Sequence, residues 1–115
     1  MKTSTVLEKA KAVLVEKGWT QQAFARDERN RHSPIHSPEA TCFCTLGALE
    51  LVTGHMARST EHAVRAQTAL ERTLLKRVFG DDSPIQTFND DENTTKEDVL
   101  AWFDRAIELA KERET

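Results

Sequence analysis

No run in the sequence approaches the roughly 20 apolar residues that a membrane-spanning helix requires, and the first residues lack the apolar core of a signal peptide. A soluble, cytoplasmic chain with no membrane partner is the expectation. Cysteine is scarce: Cys42 and Cys44 are the whole supply. They are too few and too close together for a disulfide framework, which suits a reducing compartment. Apolar residues make up only 38% of the chain. Even with glycine added, this falls short of the roughly 45–50% usual in globular domains. A chain of 115 residues therefore has one modest core, and its fold leaves room for a partner or a second copy to complete it. There is no internal repeat and no low-complexity tract, so the domain is read as a single unit over 1–115.

Charge of either sign is plentiful but unevenly placed. The net charge of −3 weighs against a protein whose main task is to coat nucleic acid. Residues 58–80 carry five basic and two acidic side chains, whereas 81–98 carry one basic and seven acidic. Neighbouring segments of opposite sign face each other or face different partners.

Hydrophobic spacing predicts four helices. Val6, Leu7, Ala10, Val13 and Leu14 recur at three- and four-residue steps, the signature of one helical face. Thr5 and Glu8 read as a capping box, Gly18 as the stop, and Trp19 as an apolar plug beneath the last turn. Residues 20–37 lose this periodicity and are expected to form a polar loop, with a short hairpin turning near Asn30. Ser37 and Pro38 read as a helix start, and the apolar run from 40 to 52 as a central helix wrapped by the others, with Gly47 and Ala48 admitting a close backbone neighbour. A third helix opens at Ser59 or Thr60, buries Ala63, Ala66, Leu70, Leu74 and Val78, and stops at Gly80. Residues 81–94 read as an acidic loop pinned by Ile85 and Phe88. Thr94 and Glu97 then cap a last helix whose inner stripe is Val99, Phe103, Ile107 and Ala110, with Trp102 and Leu109 beside it and a fraying end from Lys111. The fold class expected is all-α, a four-helix single-core domain.

Four short motifs occur in order: Gly18-Trp19, Cys44-Thr45-Leu46-Gly47-Ala48-Leu49, Phe88-Asn89-Asp90, and Glu97-Asp98-Val99-Leu100. In this order and spacing the chain resembles, from Leu7 to Ala110, a family of small bacterial and phage proteins described as a domain of unknown function. The resemblance implies a bacterial or phage origin and transfers no catalytic residue.

Several polar groups are candidates for a site. On a helix, Cys42 and Cys44 would sit about 200° apart around the axis, so they would not chelate one ion together. Buried, inert thiols are the expectation; Cys44 as a nucleophile would need a basic partner or a helix N-terminus to lower its pKa. His32 and His36, with a cysteine and His55 or His62, offer zinc-type ligands in a spacing that fits no standard zinc module, and no metal or other cofactor is expected. Asn89, Asp90, Asp91 and Glu92 form the densest acidic patch, better read as a turn before the last helix than as a cation site, because the alternating ligands and glycine of an EF-hand are missing. Arg58, Arg65 and Arg72 recur every seven residues with Lys76 one turn on, which places a basic stripe on one face of the third helix.

The function these features favour is a non-enzymatic binding or accessory module that docks a protein partner through Arg58, Arg65, Arg72 and Lys76. A homo-oligomer is an open possibility. The alternative is a small enzyme or ligand-binding domain with a pocket near Cys44, Asn89 and Asp90. Nucleic-acid binding along the arginine stripe ranks third.

Overall fold

The computed structural model describes residues 2–54, 60–74 and 84–114. Its elements run α1 (Thr3–Glu16), β1 (Ala25–Arg26), β2 (Cys42–Phe43), α2 (Thr45–Thr53), α3 (Thr60–Arg72), α4 (Pro84–Asp90) and α5 (Lys96–Glu114). The protein is mainly α-helical, as expected, with five helices among the described residues and a two-stranded antiparallel ladder pairing Ala25 with Phe43 and Arg26 with Cys42.

Helix α1 buries Ser4, Val6, Leu7, Ala10 and Leu14, the stripe its spacing predicts except that Val13 is only partly buried and Ser4 joins it, and touches α2, α3, α5 and β2. The capping box at Thr5 does not form, because the helix already begins at Thr3. Helix α5 lays Val99, Trp102, Phe103, Ala106 and Ala110 against the core. Trp102, Phe103 and Phe88 form its aromatic centre; the Phe88 and Trp102 rings meet edge to face at 4.9 Å. Threonine and an acidic residue do open α5 as a capping box, one residue later than expected: Asp98 N donates to Thr95 Oγ1 at 3.2 Å and Thr95 N to Asp98 Oδ2 at 3.0 Å. The last turn is helical through Glu114.

The expected helix over 38–52 forms only from Thr45 onward, and residues 42–43 are extended. A short apolar run is compatible with either state by periodicity alone, and here backbone partners on two sides decide. Phe43 N donates to Gly18 O and Thr20 N to Phe43 O, while Thr41 N and Cys44 N donate to the carbonyls of Arg26 and Phe24. Ser37 and Pro38 form turns before this strand rather than a helix start. Helix α2 packs against α1, α3, α4 and β2.

The long polar segment is ordered by its own charges. Arg26 donates to Thr20 Oγ1, Gln21 O and Asn30 O. Asp27 accepts from the amides of Arg29 and Arg31 and from the Arg31 guanidinium. These bonds hold the Asp27 carboxyl below its ordinary pKa, the Arg31 amide contributing most. The turn closes at Asn30, with φ of 64°, as the hairpin reading proposed, and Ile35 and Ala40 pin the segment to the core.

Two further boundaries differ from expectation. Helix α3 ends at Arg72, where Thr73 folds its hydroxyl back onto Ala69 O and Leu70 O and Trp102 Nε1 donates to Leu70 O at 2.7 Å. Val78 and Gly80 lie outside the described residues. The stretch read as an acidic loop contains α4, in which Ile85, Phe88 and Asn89 fall at helical spacing on one buried face; the two anchors were legible, and the short helix joining them was not.

Candidate functional site

The structure brings Cys44, Asn89 and Asp90 together at the N-terminus of α2. Helix amides at an N-terminus have no partner within the helix, and two residues from this cluster supply acceptors. Cys44 is the N-cap and its Sγ accepts from Gly47 N at 3.3 Å. Asn89, projecting from α4, accepts at Oδ1 from Thr45 N at 3.0 Å, Thr45 Oγ1 at 2.8 Å and Trp19 Nε1 at 2.8 Å. Its Nδ2 donates to Thr20 O and to Asp90 Oδ1. An amide side chain offers two donors and one carbonyl oxygen, so Asn89, which is fully buried, has no bonding capacity left for a ligand.

Asp90 is half-buried and similarly occupied: Oδ1 also accepts from Gln22 N at 2.9 Å and Oδ2 from Gln86 Nε2 at 3.1 Å. Gln22 adopts positive φ at 64° to present its amide. Gln21 completes the tie, its Nε2 reaching the carbonyls of Asn89 and Asp91. Three chain segments thus converge on one polar knot: Trp19 to Gln22, the α2 start, and the end of α4 with the turn behind it.

Cys44 sits at the helix N-terminus that a nucleophilic thiol would need, contrary to the mid-helix position expected for it. The helix amides of Gly47 and Leu46 favour the thiolate, but desolvation outweighs them and, with the Asp90 carboxylate nearby, pushes the thiol up to about 11. Burial decides the sign. At neutral pH the thiol is protonated. Cys42 is half-buried on β2, with Sγ 3.9 Å from Arg26 O. The helical geometry assumed for the two cysteines does not apply, since neither lies within a helix.

Of the acidic patch, Asn89 and Asp90 end α4, and only Asp91 and Glu92 belong to the turn that follows. Asp91 Oδ1 accepts from Asn93 N at 2.8 Å and Asp91 O from Thr94 N, the local bonding that Asp favours in turns. His32 and His36 are exposed, and no group of three metal-ligating side chains converges among the described residues. His55 lies outside them.

The basic stripe is half visible, as Arg58 and Lys76 fall outside the described residues. Arg65 and Arg72 are exposed on α3, with Arg65 Nη2 2.7 Å from Glu61. Both line a cleft of about 340 Å³ together with Arg113 from the last turn of α5 and Thr3 from the start of α1. Ala69 and Ala110, both buried, and Leu109 give it an apolar floor. Among the described residues neither Arg72 nor Arg113 has an ion-pair partner. Sequence reasoning placed Arg113 in a fraying tail; nothing local to residue 113 signals that it meets α3.

No curated protein and no solved structure matches the chain. A family model does, over residues 1–109. That match spans all the elements described above except the last turn of α5, and the chain belongs to the family of unknown function DUF6197.

Proposed function

We propose that this chain is a non-enzymatic module that acts by docking a protein partner through the basic face of α3. The observation that carries the reading is the contrast between its two polar clusters. The Cys44, Asn89 and Asp90 group is committed to hydrogen bonds inside the fold and its thiol is protonated at neutral pH. Arg65 and Arg72, by contrast, stand exposed beside a cleft. Guanidinium groups are the cations best suited to forked recognition of carboxylates at an interface. Nucleic acid remains the weaker reading because the arginines border a concavity with an apolar floor, in a chain of net charge −3. Two free thiols and the resemblance noted above favour a cytoplasmic protein of bacterial or phage origin.

Affinity capture with the wild-type chain and with Arg65→Glu/Arg72→Glu, from lysate of the source cells, tests the reading. A protein retained by the wild type and lost with the charge-reversed chain is the expected result. Equal capture by both chains overturns the assigned face. Turnover of a small molecule that disappears in Cys44→Ser and Asp90→Asn variants of unchanged melting temperature overturns the non-enzymatic assignment.

A further inference from the structure

We infer that the cleft between α1, α3 and α5 is a receptor for an acidic peptide segment, in which carboxylates engage Arg65, Arg72 and Arg113 and one apolar side chain rests on Leu109 and its alanine neighbours. The inference rests on the docking function proposed above and names the chemistry of the partner.

Charge complementarity identifies the occupant. Three guanidinium groups from two helices border one concavity. Its single lining carboxylate, Glu114, is already engaged: Oε1 accepts from Ser4 N at 3.0 Å and Oε2 from Ser4 Oγ at 2.7 Å. Those bonds hold the Glu114 carboxyl below its ordinary pKa and tie it to α1, so it contributes one fixed negative charge against three guanidinium groups. Glu61 draws on Arg65 through an exposed pair, both side chains being at least 65% accessible, and such pairs contribute little and exchange readily. Arg72 and Arg113 lack ion-pair partners among the described residues. The net field in the cleft is therefore positive.

Shape selects among anions. A volume of about 340 Å³ holds two or three side chains and is too small to admit a nucleic-acid helix, which is bound through phosphate contacts spread along its backbone. The floor of Ala69, Leu109 and Ala110 offers nothing to a bare phosphate, whereas an apolar side chain flanked by Asp or Glu fills it while its neighbours reach the guanidinium groups. The hydroxyls of Thr3 and Thr68 at the wall complete a mixed lining of the kind that fixes a ligand's orientation.

The probe is a fluorescein-labelled peptide, Glu-Glu-Leu-Glu-Asp-Leu-Glu-Glu, titrated with the full chain and followed by anisotropy. Saturable binding that weakens as salt rises is expected, with affinity falling about tenfold in Arg72→Glu or Arg113→Glu and retained in part by Arg113→Lys. Thr68→Glu, which places a carboxylate among the arginines, is expected to act as a competitor in cis. Replacing both leucines of the probe by serine should weaken it further. The inference is overturned if the probe does not bind, if these variants bind it as the wild type does, or if inorganic phosphate or a DNA duplex displaces it at equal charge concentration. It is equally overturned if sedimentation shows the chain self-associating through this cleft, with Arg113→Glu restoring the monomer. Failure here, with partner capture still sensitive to Arg65→Glu/Arg72→Glu and indifferent to Arg113→Glu, would leave the docking function standing and remove only the cleft.

Discussion

Asn89 shows how one buried side chain can replace several local signals. Its oxygen accepts from Trp19, from the Thr45 amide and from the Thr45 hydroxyl, so a truncation strands three donors at once. A buried donor left without a partner costs about 1–3 kcal/mol. Asn89→Ala is therefore expected to lower unfolding stability by about 3 kcal/mol or more, measurable by urea denaturation. A loss under about 1 kcal/mol would mean that water replaces the amide and that the knot is not what joins α4 to α2. Cys44 makes a second residue-scale prediction. With its thiol pushed up to about 11, the folded chain at pH 8 should release only the Cys42 equivalent rapidly to a disulfide reagent, and the second equivalent only on denaturation. Rapid titration of two thiols would contradict the burial of Cys44.

At the scale of elements, the close approach of α2 to the 23–26 segment has one requirement. A Cβ built on Gly47 would lie far inside contact distance of the Phe24 carbonyl oxygen, and that carbonyl also accepts from Cys44 N. The Phe24 backbone cannot withdraw without breaking a strand contact. Gly47→Ala is expected to destabilise the protein by about 2–3 kcal/mol, despite alanine's better helix propensity, which alone predicts a gain of about 1 kcal/mol. The sign of the shift in denaturation midpoint distinguishes the two effects. The same helix marks where sequence reasoning ran short. Periodicity located the buried faces of α1 and α5 because both are long, with one apolar stripe each. It could not separate strand from helix in Thr41 to Cys44, since that choice is made by carbonyls of Gly18, Phe24 and Arg26, up to about two dozen residues away in sequence. The Ile85 and Phe88 anchors were legible as apolar residues in a polar stretch. Helix α4 between them was hidden, because Asn89 and Asp90 have turn-forming chemistry and Asn89 is turned inward by distant donors. Cys44, Asn89 and Asp90 were recognisable as a group; that they act as a cap rather than a catalytic set depends on partners from Trp19 to Gln22, of which only Trp19 falls in a motif.

The molecule as a whole is closed by a contact between its two ends. Helix α1 has no side-chain cap of its own; its N-cap is Lys2. The acceptor comes instead from the last turn of α5, where Glu114 takes the Ser4 amide and hydroxyl 110 positions away. Lys2 and Lys111 add weaker attraction, and a carboxylate at the positive end of α1 is favoured by the helix dipole. A carboxyl whose folded pKa lies below its unfolded value contributes stability that is fully present above the unfolded value and lost as pH falls through the folded one. Asp27 behaves in the same way in the hairpin. Stability is thus expected to be flat near neutrality and to decline once pH drops below the ordinary carboxylate range. Glu114→Gln keeps one acceptor oxygen but removes the charge, so it should lower the melting temperature at pH 7, and the difference from wild type should shrink as pH falls below 4. Because Glu114 also borders the arginine cleft, the same substitution raises the positive field there and should tighten binding of an acidic peptide while it weakens the fold. A melting temperature unchanged at pH 7 would show that the ends are not joined in solution. Weaker peptide binding by a variant that still folds would show that Glu114 helps to shape the cleft rather than oppose its charge.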